Sequence, residues 1–113
     1  MPVRLVAHPV IEDSLARLRD RETPCDEFRR LARRVSLVLA TEATRDLELT
    51  AGEVDTPLER TVVRRIASRV VAVPVLRAGL GMLEAFLELV PQAHVGYFGL
   101  ERNEETEIGR AHV

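Results

Sequence analysis

Arg77 and Arg102 are the residues whose type and position could do chemistry in this chain. Each follows a stretch that reads as a strand, Val70 to Leu76 in the first case and His94 to Leu100 in the second. In open α/β sheets ligands bind beyond the carboxyl ends of the strands, so guanidinium forks at two such ends could share one anionic ligand. Arg77 opens the stretch Arg77-Ala78-Gly79-Leu80-Gly81, whose small residues leave backbone N–H groups accessible just before a helix N-terminus with its partial positive charge. That arrangement suits phosphate or pyrophosphate. It is not specific by itself, because glycine also serves simply to make a tight turn. Glu101-Arg102-Asn103-Glu104-Glu105-Thr106 has an equally plain reading as a solvated polar turn after a strand.

The remaining reactive side chains make a weaker case. His8 precedes a proline and His94 begins a strand, positions where histidine serves more often as a boundary or packing residue than as a base. No second histidine or carboxylate stands at metal-ligand spacing from them. Cys25 is the single cysteine and can form neither an internal disulfide nor a cysteine-based zinc site. Glu42-Ala43-Thr44 fits the polar end of a helix. There is no P-loop, nucleophile elbow or dinucleotide glycine fingerprint.

The elements that must position the two arginines follow from the hydrophobic pattern. Val70-Val71-Ala72-Val73-Pro74-Val75-Leu76 reads as a strand buried on both faces, as in parallel α/β sheets, with Pro74 a caution because it cannot donate to the ladder. Met82, Leu83, Phe86, Leu87 and Val90 then recur at helical spacing up to Pro91, and His94 to Leu100 reads as the next strand. Val70 to Leu100 is therefore one strand–helix–strand unit, expected to be parallel and right-handed.

Upstream, Val3, Leu5 and Val6 form a short extended segment that ends at His8-Pro9, where a helix is expected to begin. Val10, Ile11, Leu15 and Leu18 make its apolar stripe. Thr23-Pro24 signals a second helix with Thr23 as N-cap, Asp26 and Glu27 in its first turn, and a stripe running toward Ala43. From Leu47 to Arg69 the chain reads as an irregular or hairpin-like connector.

The 113 residues allow one domain and no more. With 46% hydrophobic and 30% charged residues the composition is that of a soluble globular protein. The net charge of −2 removes the long-range attraction used by nucleic-acid and anionic-membrane binders, so neither is an expected partner. No apolar run approaches membrane-spanning length, no signal peptide is evident, and a cytoplasmic location is expected. All 16 basic residues are arginine, which reads as coding bias more than as a site.

The residues resemble those of the uracil phosphoribosyltransferase family, over its N-terminal half and from Val3 to Thr106. The resemblance rests on His8-Pro9, Phe28-Arg29-Arg30-Leu31, Glu42-Ala43-Thr44-Arg45-Asp46-Leu47, the run Val73 to Met82, and Arg102-Asn103-Glu104-Glu105-Thr106. Thr41 departs from it, since the family usually has tyrosine there. The resemblance implies an α/β fold, namely a partial type I phosphoribosyltransferase fold with N-terminal helices and a strand–helix–strand parallel unit. It also implies transfer of ribose 5-phosphate from phosphoribosyl pyrophosphate to uracil with magnesium (Mg2+), giving UMP and pyrophosphate, in a homo-oligomer. Arg77, Arg102, Ala78 and Gly79 match the family's phosphoribosyl pyrophosphate-binding residues. Other bases remain alternatives, as does a non-catalytic binding or oligomerisation module.

The family's 5-phosphate loop and its uracil-recognition segment have no counterpart in these residues, so the 113-residue chain is expected to be inactive alone. Residues 1–106 are read as family sequence. Glu107-Ile108-Gly109-Arg110-Ala111-His112-Val113 leaves the family pattern and matches an in-frame translation of a widely used sequencing-adapter DNA, so residues 107–113 are expected to be a non-family tail.

Overall fold

The computed structural model describes residues 2–102 and 109–112. Helix α1 (Pro9–Leu18) begins where the sequence predicts. His8 is extended, its imidazole Nδ1 accepts the Val10 N–H at 3.1 Å, and Pro9 sits where the helix needs no donor. The short segment before it, with Val3 and Leu5 both exposed, forms no strand.

Helix α2 (Cys25–Ala43) has the expected acidic first turn but not the expected cap. Pro24 occupies the N-cap position and has no side-chain acceptor, while Thr23 donates its hydroxyl to the Arg17 carbonyl at 2.5 Å. The hydroxyl thus ties the short turn to the last turn of α1.

Small buried residues let the helices approach. Ser14 is fully buried and Ser36 nearly so, and each hydroxyl donates to the carbonyl four residues earlier, Val10 at 2.6 Å and Ala32 at 2.8 Å. Neither polar atom is therefore left unpaired beside Ile11 and Ala40, the buried apolar residues of the two helices. Arg34 reaches Asp13 at 3.2 Å across the α1–α2 rim, and Arg33 pairs with Glu88 of the third helix.

The connector is a regular hairpin. Strands β1 (Leu49–Asp55) and β2 (Arg60–Ile66) pair antiparallel from Leu49↔Ile66 to Asp55↔Arg60, and Thr56 closes the loop with its N–H on the Glu59 carbonyl at 2.9 Å. Both faces are largely open to solvent, with Val62 65% exposed.

After it come β3 (Val71–Ala72), β4 (Val75–Leu76), α3 (Leu80–Leu89), β5 (His94–Val95) and β6 (Phe98–Arg102). The pairs are parallel as expected, β3 with β5 and β4 with β6. The unbroken strand predicted over Val70 to Leu76 is instead divided at Val73-Pro74, and so is its partner. His94 and Gly96 donate to the carbonyls of Val70 and Ala72 at 2.9 and 3.0 Å, and Phe98 donates to Pro74 at 3.2 Å. The even-numbered residues thus face the neighbouring strand, and Pro74 is the one that has no N–H to return.

Nor is the strand buried on both faces. Val71 and Val73 are 54% and 55% exposed, although Pro74 between them and β4 is buried. The same openness shows in the whole surface of 9513 Å², where a compact monomer of this mass exposes roughly 6,200 Å². The radius of gyration of 18.4 Å likewise exceeds the roughly 13 Å of a compact chain this long.

Strand β7 (Gly109–His112) pairs antiparallel with β6, from Gly99↔His112 to Arg102↔Gly109, in a stretch where the sequence shows no strand pattern. Asn103, Glu104, Glu105 and Thr106 of the polar motif, and Glu107, Ile108 and Val113 of the expected tail, lie outside the described residues.

Candidate functional site

The parallel register brings the two arginines to one edge of the sheet. Leu76 pairs with Gly99, so Arg77 lies one residue past the paired end of β4 and Arg102 closes β6 on the same side. Arg77 is exposed at the head of the turn 77–79, and the Leu76–Arg77 peptide bond before it is cis. The first turn of α3 follows at once, with the Leu80 N–H on the Arg77 carbonyl at 3.1 Å. A guanidinium, the positive end of a helix and an adjacent strand end that carries a second arginine thus stand at one end of the sheet.

The glycines of this turn differ in what they do. Gly79 has φ −68°, a conformation open to any residue, so its backbone angles do not require glycine. Space does. Its N–H donates to the Val75 carbonyl at 2.7 Å, and a Cβ there would stand 2.7 Å from the Val75 nitrogen, 2.8 Å from the Val75 oxygen and 3.0 Å from the Pro74 Cβ. The Gly79 N–H, expected to be accessible to a ligand, is therefore already committed to the strand. A Cβ at Gly81, in the first turn of α3, would meet nothing within 4 Å.

Ala78 and Gly79 also border a groove of about 600 Å³ between α2, α3 and the strand segment that carries Val71 and Val73. Its lining is apolar apart from Ser36. The sequence signal for it is the apolar run itself, which reads as burial within the chain.

Among the described residues no group of three His, Cys, Asp or Glu side chains could hold a metal ion. The turn offers an anion cationic and N–H donors but offers magnesium no oxygen cluster of its own, so these residues alone do not fit the ion. His8 is a helix cap, Cys25 is exposed, and Thr41 donates to the Leu37 carbonyl at 2.8 Å inside its own helix. Of the Glu42-Ala43-Thr44-Arg45 stretch, Glu42 and Arg45 form an ion pair at 2.7 Å, and the hydrogen bond from Arg45 holds the Glu42 carboxyl below its ordinary range. No described helix is long and apolar enough to cross a membrane.

The family model described as uracil phosphoribosyltransferase matches residues 5–112. The chain belongs to the uracil phosphoribosyltransferase family. Its helices and parallel strand pairs form part of a phosphoribosyltransferase fold. Among curated relatives it is 42% identical to the uracil phosphoribosyltransferase of Salinibacter ruber over 98% of its own length and 59% of the relative's. It is 46% identical to that of Campylobacter curvus over 92% of its own length and 50% of the relative's. The solved structure of the AQ2163 protein from Aquifex aeolicus superposes with a TM-score of 0.86 at 33% identity, covering 96% of this chain and 52% of that one. The chain thus spans about half the length of the curated family members it matches.

Proposed function

We propose that this chain carries the pyrophosphate-binding part of a uracil phosphoribosyltransferase, acting on phosphoribosyl pyrophosphate and uracil in pyrimidine salvage. The observation that carries the reading is the register that sets Arg77 and Arg102 at neighbouring carboxyl ends of parallel strands in a member of this family. In the reaction a uracil nitrogen bonds to the sugar carbon and gives up its proton to solvent while the carbon–oxygen bond to pyrophosphate breaks, and the departing group takes the electron pair of that bond. Charge therefore grows on pyrophosphate as the sugar becomes cation-like, and arginine forks placed at that group are worth most at that moment.

In this reading Arg77 and Arg102 hold the pyrophosphate and Ala78 lets it approach the backbone. Gly79 belongs to the same site, with its own N–H spent on seating the turn. Magnesium, implied by the family, would arrive on the substrate's phosphates. Assembly as a homo-oligomer in the cytoplasm belongs to the same proposal.

The described residues contain no 5-phosphate loop or base-recognition segment, so the 113-residue polypeptide binds without turning over. A UMP-forming assay and calorimetry with magnesium and phosphoribosyl pyrophosphate test this together. Saturable binding without UMP supports it, whereas turnover above a heat-killed blank, or no binding at all, overturns it. A non-catalytic binding or oligomerisation module is the second reading, and another base is the remaining alternative. Although the family match reaches residue 112, residues 107–113 are proposed to be foreign to the family sequence; re-amplifying the locus tests this, an open frame past Thr106 into a phosphate-loop motif supporting it and a genuine stop there overturning it.

A further inference from the structure

Strand β6 runs past the end of its parallel partner. Val75 and Leu76 of β4 pair with Phe98 and Gly99, and β4 goes no further, because the chain turns at Arg77 toward α3. Leu100, Glu101 and Arg102 therefore have no strand beside them on the β4 side among the described residues. The ladder that holds them is the one with β7, through the pairs Leu100↔Ala111, Glu101↔Arg110 and Arg102↔Gly109. Residues on a strand direct their N–H and carbonyl groups alternately to either side. His94, Gly96 and Phe98 donate to Val70, Ala72 and Pro74, so Gly99 and Glu101 face the other way, toward His112 and Arg110 of β7.

We infer, on the reading of Arg102 as a pyrophosphate ligand, that β7 is the element that positions Arg102 beside the turn carrying Arg77. Without it, three residues at the end of β6 would have to be ordered when the ligand binds, at a cost in affinity. The ladder orders them beforehand. Arg110, as the partner of Glu101, is then a positioning residue that acts through the backbone of β6. A stretch with no strand pattern, proposed to be foreign to the family, takes this part because ladder bonds are made by backbone groups that every residue except proline carries.

Calorimetric titration with magnesium pyrophosphate and amide hydrogen exchange test this on the 113-residue chain. Arg110→Pro removes the N–H that faces Glu101 and should weaken binding about tenfold. Arg110→Ala loses the same charge but keeps the N–H, and Ala111→Pro loses an N–H that faces away from β6; both should bind within about twofold of wild type. In an Arg102→Ala background Arg110→Pro should cost nothing further, because the strand acts through Arg102. Exchange at the Gly99 and Glu101 amides should be about tenfold faster or more in Arg110→Pro. A chain ending at Thr106 replaces the proline variant if that variant folds poorly. If Arg102→Ala weakens binding while Arg110→Pro does not, if the two losses add, or if Arg110→Ala loses as much as Arg110→Pro, the inference is overturned and the site reading stands. If wild type does not bind pyrophosphate, the site reading falls instead and the exchange comparison decides the inference: faster exchange at Glu101 supports it, and unchanged protection there overturns it.

Discussion

Gly79 lies directly on Val75: its N–H donates to the Val75 carbonyl at 2.7 Å, and a side chain at Gly79 would stand 2.7 Å from the Val75 nitrogen. The contact ties the turn that presents Arg77 to the end of its own strand. Gly79→Ala cannot be accommodated without moving backbone, and a cost of about 1–3 kcal/mol is expected, in the range of other overpacking substitutions. Gly81→Ala meets open space inside a helix and should stabilise by about 0.5–1 kcal/mol. Urea unfolding of the two variants checks the opposite signs, and equal shifts would refute the assignment.

Ser14 sets how closely α1 approaches α2. Ser14→Ala should cost about 1 kcal/mol or less, because the Val10 carbonyl stays in the helical ladder when the hydroxyl is removed. Ser14→Leu must fit a large side chain where none of the surface is exposed, and about 1–3 kcal/mol of destabilisation is expected. A leucine variant as stable as the alanine variant in thermal melts would show that the helices are not close-packed there.

Glu42 makes stability depend on pH in the acid range. The hydrogen bond from Arg45 lowers its folded pKa below the ordinary 4.5, so the unfolded chain takes up the proton first as pH falls. Its stabilising contribution is present above that ordinary value and is lost as pH falls through the lower, folded one. Glu42→Gln should therefore flatten the acid limb of the stability curve without changing stability's slope near neutrality. An unchanged acid limb would count against the pair in solution.

Arg77→Ala should weaken binding of magnesium phosphoribosyl pyrophosphate by about 10- to 150-fold, the equivalent of one charge-assisted contact of about 1.5–3 kcal/mol. Arg77→Lys keeps the charge without the bidentate fork and should fall between wild type and the alanine variant. Calorimetric titration reads both. Identical affinities for wild type and Arg77→Ala would remove Arg77 from the site.

Much of the fold is legible in the residues because it depends on neighbours in sequence. His8-Pro9 marks the start of α1, and the apolar stripes of α1, α2 and α3 follow the 3.6-residue period. The hairpin is legible only as an irregular or hairpin-like connector, because Gly52 reads as a turn residue and lies inside β1. Thr23 is not the cap its type and position suggest: Pro24 stands at the N-cap, and the Thr23 hydroxyl donates to the Arg17 carbonyl.

The sequence by itself determined the family, the apolar stripes of the helices and the two arginines that follow predicted strands, since type and spacing encode these directly. Only the tertiary structure decided that Pro74 divides the strand, because which residues face the neighbouring strand depends on register, and register depends on the partner. The commitment of the Gly79 N–H to Val75 was likewise decided by the fold, as was the exposure of Val71 and Val73. An apolar run states that burial is needed. It does not state what supplies the cover.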